Sequence, residues 1–261
     1  MGILDATELV DSYGIKKSHC NILTFKCKEE KALLYFEMPV LERKEPIVGI
    51  DSQKEIQLIK AEWKEFYLKM PKVPEEHLHM AAISWYTLWS CFVRAEDVYK
   101  YDAMLMSKKY MTSVWSWDHC FNALAMSNID LKKAMEQFLL PFELQSESGA
   151  LPDMWNPNLE PVWAITKPPI HGWCFGKLME NHEFDQDTLR KVYNHLEKWT
   201  DWWMEYNDSD CDGIPEYPQG FDSGWDNSTL FDIGYYLESP NLSAFLVIQV
   251  NTLEKNCRKT R

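Results

Sequence analysis

Apolar residues at helical spacing dominate the sequence from Ser52 to its end, and they restrict the possible folds more than any other feature. In the segment 187–206 they fall at intervals of three and four: Leu189, Val192, Leu196, Trp199 and Trp203. Similar spacing marks three further segments and a last one that begins at Pro240: 117–127, 131–145 and 168–180. The sequence therefore predicts a mainly α fold.

One segment, 75–95, is apolar nearly all round. A helix of this kind is usually buried on several sides, so we expect it to belong to the inner ring of a helical domain. Three connecting segments are longer than the roughly 12–15 residues that unstructured loops of compact domains seldom exceed: 97–114, 146–167 and 207–239. Because such loops are usually functional, we expect them to carry the site.

The first 50 residues have a different pattern, which alternates as in strands. The segments 21–27 and 32–38 are predicted strands joined by a turn over 28–31, and 47–50 is a third short strand. Ser52 with Glu55 is predicted to form a capping box at the start of the first helix. The resulting division is a remnant of a β-domain at 1–52, a linker helix at 53–74 and a helical domain at 75–261.

The chain carries 40 acidic and 27 basic residues and a formal charge of −13, which argues against nucleic acid and anionic membranes as partners. It has no basic leader before an apolar run and no stretch of about 18 apolar residues. The seven cysteines are odd in number and form no CxxC pair, which favours reduced thiols over disulfides or a zinc site. We therefore expect a cytoplasmic protein without a cofactor.

The loop 208–228 concentrates the chemistry, because Asp226 directly follows Trp225 there. An indole beside a carboxyl favours its protonated form by partial desolvation, as a general acid requires. The alternative is that Asp226 serves a turn. Earlier in the loop, Asp208, Asp210 and Asp212 imitate the start of a calcium loop, but Gln219 occupies the twelfth position, where calcium needs Glu. We expect a turn there, with calcium as the minority alternative.

Five pieces of the sequence, in this order, resemble the catalytic domain of inverting α-glycosidases of glycoside hydrolase family 63: 114–125, 145–157, 167–178, 208–228 and 238–249. This family includes processing α-glucosidases and mannosylglycerate hydrolases. The resemblance covers about two thirds of the chain, from near residue 75 onward. It implies an (α/α)6 barrel of helical hairpins that follows a β-rich domain.

Carried over by position, the resemblance implies that Asp226 is the general acid. It also places substrate-binding residues on three loops: Trp117, Asp118, Lys167, His171, Trp173, Trp225 and Asn227. In this reading Asp118 accepts hydrogen bonds from sugar hydroxyls and a tryptophan stacks on the sugar ring. The structural alternatives are an N-terminal helical position for Asp118 and a core histidine for His171.

The sequence departs from the family at two places. No Glu matches the general base, and the helices account for only half of a barrel, so we expect a truncated catalytic domain. Asn241 stands where relatives commonly have Asp. The expected function is hydrolysis of α-glucosidic or α-mannosidic bonds with inversion, and the alternative is a non-catalytic carbohydrate-binding or scaffold module. A phosphorylase or lyase is a weaker alternative. Exposed half-barrel surfaces are expected to drive self-association.

Overall fold

The computed structural model describes residues 3–10, 16–24, 51–95, 98–107, 111–157 and 160–259. The chain forms two compact units, which divide near residue 55. In the first unit, strands β1 (Ile3–Val10) and β2 (Lys16–Thr24) pair antiparallel, with a shift of register between Thr7 and Leu9. The predicted strand at 21–27 overlaps the end of β2, whereas those at 32–38 and 47–50 lie outside the described residues.

The second unit is helical, which confirms the predicted mainly α fold. Its α-helices within the described residues are α1 (Ser52–Leu68), α2 (Leu78–Ser90), α3 (Asp118–Ser127), α4 (Leu131–Leu139), α5 (His171–Asn181), α6 (Gln186–Tyr206) and α7 (Pro240–Lys259). Three antiparallel pairs of two-residue strands connect its loops: β3 (Phe92–Val93) with β4 (Ala103–Met104), β5 (Val114–Trp115) with β6 (Met154–Trp155), and β7 (Glu216–Tyr217) with β8 (Leu237–Glu238).

The main core lies between α3, α4, α5, α6 and α7. The predicted apolar face of α6 is confirmed, because its five residues Leu189, Val192, Leu196, Trp199 and Trp203 are all buried. Helix α6 begins at a side-chain cap, where Asp185 accepts a hydrogen bond from the Thr188 amide at 2.7 Å. The periodic pattern thus fixed the position and the buried face of the longest helix.

A buried polar chain joins three of these helices. The amide of Gly172 on α5 donates to Oε1 of Gln249 on α7 at 3.0 Å, and Nε2 of Gln249 donates to the Thr200 hydroxyl on α6 at 2.9 Å. A Cβ at Gly172 would overlap the backbone of Gln249, so only glycine permits this approach of α5 to α7. Since both ends of the Gln249 amide are satisfied inside the core, the three helices have one fixed register.

Two predictions about the first helices differ from the structure. The cap of helix α1 lies one residue before the predicted capping box, because Oδ1 of Asp51 accepts from the amides of Gln53 and Lys54. Helix α2 is not buried on several sides, because among its residues only Trp85 is fully buried and Met80 is 65% exposed. The reason is that α2 packs through its aromatic side chains on α1 and presents its other faces to solvent.

No helix in the described ranges is both long and apolar enough to span a bilayer. Among the described cysteines, Cys91, Cys120 and Cys174 are buried thiols that form no disulfide. The cytoplasmic location remains a prediction.

Candidate active site

The ammonium group of Lys167 lies where three long segments of the helical unit meet. Its Nζ donates a hydrogen bond to the Phe221 carbonyl at 2.9 Å. The same Nζ lies 3.5 Å from Oδ1 of Asp153 and 3.5 Å from Oδ1 of Asp226. Only 8% of the Lys167 side chain is exposed, so a buried cation joins the loop before α5 to the loop that carries Asp226.

Short strand pairing brings the first segment to this cation. Strands β5 and β6 pair Val114 with Trp155, and the Ser116 amide donates to the Asp153 carbonyl at 2.9 Å. Helix α3 begins immediately afterwards, with Asp118 in its first turn. The 114–118 segment and Asp153 therefore reach the site as one hydrogen-bonded piece.

Trp117 is half-buried and forms a wall against the loop of Asp226. Gly224 lies directly on its indole, and a Cβ at Gly224 would overlap the six-membered ring. Gly224 also has φ +73°, in the left-handed region that favours glycine. The turn that precedes Trp225 and Asp226 is thus fixed by both its backbone conformation and its contact with Trp117.

Asp226 itself faces solvent, with 56% of its side chain exposed. Its neighbours Trp225 and Asn227 are exposed too, and Trp225 retains 69% of its surface. The desolvation that the Trp-Asp pair predicts is therefore not provided by Trp225 in this structure. The open indole is instead available for a ligand to stack on.

Burial dominates the electrostatics of the other carboxyl groups near Lys167. It raises the pKa of Asp118, although a backbone hydrogen bond and the charge of Lys167 oppose this effect. It likewise raises the pKa of Asp153, with Lys167 again opposing. Asp118 and Asp153 also repel each other. The charge of the single Lys167 ammonium thus favours the ionised form of both carboxyl groups.

Of the two predicted site residues on α5, the structure places His171 entirely in the core. Its Nε2 donates to the Ser116 carbonyl at 2.8 Å, and its ring packs 5.2 Å from that of Phe142. Burial lowers the pKa of His171 to about 4, which keeps the imidazole neutral. Hence His171 supports the 114–118 segment from behind, as the core alternative predicts. Trp173 is half-buried, with its ring 5.8 Å from that of Phe121.

The turn at the start of the 207–239 loop is held by its own aspartates. Asp208 accepts hydrogen bonds from the amides of Asp212 and Gly213, and Asp212 accepts from that of Ile214. Ligand atoms of Asp208, Asp210 and Asp212 lie within 4.8 Å of one another, which is compatible with one cation. These hydrogen bonds favour the turn interpretation, and calcium stays the minority prediction. Asn241 accepts from the Leu242 amide at the start of α7.

Sequence reasoning assigned no role to Asp153 or to Asp222. Asp222 is buried and accepts from the Thr166 amide at 2.8 Å and the Gln219 amide at 3.2 Å, so it ties the Lys167 loop to the Asp226 loop. Asp153 follows Pro152 in a piece that carries the family resemblance, but no spacing rule connects it to Lys167. The ion pair between Asp153 and Lys167 is visible only in the structure.

Asp222 gives a pH-dependent prediction. Burial raises its pKa to about 6 from a usual 3.8, so the folded state binds this proton more tightly than the unfolded chain does. Its contribution to stability is therefore fully present below the unfolded pKa and is lost as pH rises through about 6. We expect wild type to lose up to about 3 kcal/mol relative to Asp222→Asn between pH 4 and 7.

Urea unfolding of both proteins across this pH range measures the difference. Asp187→Asn is the matched control, since it removes a carboxyl group whose side chain is 96% exposed. Parallel stability curves for wild type and Asp222→Asn would show that Asp222 does not carry a raised pKa.

The helical fold and the acidic site on its loops agree with what comparison with known proteins shows, which is a glycoside hydrolase domain. Residues 111–252 match the mannosylglycerate hydrolase MGH1-like glycoside hydrolase domain, and the chain belongs to that family. A glucosylglycerate hydrolase of Mycolicibacterium hassiacum is 22% identical over 153 residues, which cover 47% of this chain and 34% of that relative. The match thus spans about a third of the relative's length.

Proposed function

We propose that this domain hydrolyses α-glucosidic or α-mannosidic bonds with inversion of configuration, with Asp226 as the general acid. One observation carries the proposal: in a chain of a glycoside hydrolase family, the Asp226 carboxyl group lies 3.5 Å from the buried ammonium of Lys167. The charge of Lys167 also opposes the rise in the pKa of Asp118. These residues come from three separate segments of the chain, and the family resemblance had placed all three in the same sugar pocket. Asp226 also lies within the hydrogen-bonded turn 225–228, as the turn alternative predicts, and this turn holds its carboxyl group beside Lys167.

In this mechanism, Asp226 protonates the glycosidic oxygen as the bond to the leaving group breaks. A second carboxylate removes a proton from water, which attacks the opposite face of the sugar ring; the two carboxyl groups lie about 6.5–9.5 Å apart in inverting enzymes. The family resemblance supplies that base as a Glu without a match in this sequence. We therefore infer that turnover depends on a carboxylate from another polypeptide segment.

The neighbouring side chains bind the sugar. Asp118 lies at the N-terminus of α3, from which its carboxyl group can accept hydrogen bonds from two hydroxyls. The exposed indole of Trp225 offers a flat apolar face beside the acid. The candidate pocket is completed by Trp117, Trp173 and Asn227. Lys167 and His171 are buried and hold the loops of the pocket in place through hydrogen bonds to the carbonyls of Phe221 and Ser116.

Assays with aryl α-glucosides and α-mannosides test this function, and NMR of the first-formed anomer reports the stereochemistry. Release of the β-anomer of the sugar supports an inverting α-glycosidase. Retention of the α-anomer would contradict the proposed mechanism. If wild type binds a monosaccharide but releases no product, this chain on its own acts as a non-catalytic carbohydrate-binding module, which is the second candidate. The exposed Trp225 favours that candidate equally.

Stacking on Trp225 gives a prediction for sugar affinity. We expect Trp225→Ala to weaken sugar binding by about 1 kcal/mol, or roughly fivefold, without a change in melting temperature, because the indole is 69% exposed. Trp117→Ala should weaken binding and also lower the melting temperature, since Gly224 rests on its ring. Isothermal titration calorimetry with glucose and mannose measures the affinity. Tyr206→Ala, at the end of α6 and 63% exposed, is the control that should leave it unchanged.

Exposed apolar residues on α7 support the proposed self-association. Val247 and Val250 are 61% and 51% exposed, one turn apart on that helix. We expect wild type to sediment with a concentration-dependent mass and the double variant Val247→Glu, Val250→Glu to remain monomeric. If the mass of both proteins stays that of a monomer at all concentrations, the proposed self-association is wrong.

A further inference from the structure

Lys167 carries a buried ammonium group at the centre of the site. A charge with only 8% of its side chain exposed is costly unless it is paired and hydrogen-bonded. Its partners are the Phe221 carbonyl, Asp153 and Asp226, at 2.9, 3.5 and 3.5 Å. Two of these three partners belong to the turn that carries the candidate acid.

Asp153 is the buried member of this set, with 6% of its surface exposed. Its backbone is held on both sides: the carbonyl accepts from Ser116, and the amide donates to the carbonyls of Val162 and Ile165. Its side chain accepts a hydrogen bond from Trp115, and its Oδ1 faces the Lys167 ammonium at 3.5 Å. A carboxylate so firmly attached is a fixed counter-ion for Lys167.

Lys167 contacts the turn that carries Asp226 at two points, one on each side of Gly224. Phe221 belongs to the 3-10 helix Gly220–Ser223, and Asp226 follows two residues beyond Gly224. The ion pair with Asp226 contributes little to stability, because that side chain is half-exposed and surface pairs are screened by water. It does restrict where the carboxyl group can lie relative to Phe221.

We propose that Asp153 and Lys167 form a positioning pair that anchors the turn 219–228 and sets the location of the Asp226 carboxyl group. Asp153 orients the ammonium group, and Lys167 transmits that orientation to the turn. The inference rests on the proposed role of Asp226 and adds Asp153, to which neither the sequence motifs nor the family match assigns a function.

Hydrogen exchange of the backbone amides tests the anchor without any need for turnover. Lys167→Met keeps the length of the side chain and removes its charge, and Asp153→Asn keeps the shape of its side chain. We expect both variants to exchange at least about tenfold faster over 219–228, with unchanged exchange over α6. Lys177→Met is the control, because Lys177 pairs on the surface of α5 with Glu180 and should change neither segment.

Unchanged exchange over 219–228 in Lys167→Met overturns the anchor. Unchanged exchange in Asp153→Asn alone removes Asp153 from it. Equal acceleration over 219–228 and α6 in both variants would show general destabilisation and would also overturn the proposal. If Lys167→Met does not fold, the isosteric variant Asp153→Asn still tests the anchor. Faster amide exchange over 219–228 without a change over α6 supports the anchor, and any other result contradicts it.

The leaving group supplies a second readout, which support of the fold alone would not change. A dinitrophenyl leaving group departs without a proton, whereas a methyl α-glycoside needs the acid. Variants that displace Asp226 should therefore lose at least about tenfold in kcat on the methyl glycoside and much less on the dinitrophenyl glycoside. If kcat falls equally on both glycosides, Asp153 and Lys167 do not position the Asp226 carboxyl group. This readout requires a wild type that turns over; where wild type does not, the exchange result alone decides the anchor.

Discussion

Asp226→Asn is expected to lower turnover of α-glycosides with poor leaving groups by about 10²- to 10⁴-fold in any preparation in which wild type is active. The amide cannot donate a proton to the glycosidic oxygen, and its shape is otherwise that of the carboxyl group. The fold should persist, because the Asp226 side chain is 56% exposed and loses only a screened ion pair with Lys167.

The comparison that isolates this effect uses Asp232→Asn, an exposed aspartate further along the same loop, which should retain wild-type kcat. Circular dichroism and thermal melts establish that both variants are folded. Substantial residual turnover of Asp226→Asn on a methyl glycoside would remove Asp226 from the role of acid. Loss of activity in Asp232→Asn as well would indicate a general disturbance of the loop.

Gly224→Ala is expected to damage both the fold and the site. An alanine at φ +73° costs about 1 kcal/mol in backbone conformation. In addition, its Cβ would overlap the Trp117 indole, so the turn that carries Asp226 must move away. We expect a total loss of about 2–3 kcal/mol in unfolding free energy and a clear loss of sugar affinity.

Gly213→Ala separates the two contributions. Gly213 has φ +91°, but a Cβ there would meet no atom within 4 Å, so only the backbone cost applies. Urea unfolding should give a loss of about 1 kcal/mol for Gly213→Ala, with unchanged sugar affinity. Equal stability losses at both glycines would show that the contact with Trp117 adds nothing.

The helices were predictable from the sequence because their apolar spacing is a local property. Leu189 and Trp203 lie on the same face of α6, and the structure buries both completely or nearly so. The amphipathic pattern does not reveal how many neighbours a helix has, which is why α2 was expected to be more buried than it is. Similarly, the cap of α1 falls on Asp51, one residue before the capping box that the spacing suggested.

The candidate site was predictable only where a motif marked it. The family resemblance selected Asp226, Asp118 and Lys167, but it gave no sign that the Lys167 ammonium joins the other segments. Asp153 and Gly224 were beyond reach, because their importance comes from partners that are distant in sequence. His171 shows the opposite limit, since a histidine in a conspicuous motif proved to be a fully buried support.

The Gln249 amide between α5 and α6 limits how this domain can diversify. An insertion of one residue in α7 ahead of Gln249 would rotate the preceding turn by about 100°, and the side-chain amide would no longer meet Gly172 and Thr200. Outside the contacts made by Lys167, Asp222 and Gly224, the loops that carry Lys167 and Asp226 have no such restriction on their length. Variation in substrate preference within this scaffold should therefore arise from insertions and deletions in the loops, while helix lengths remain constant.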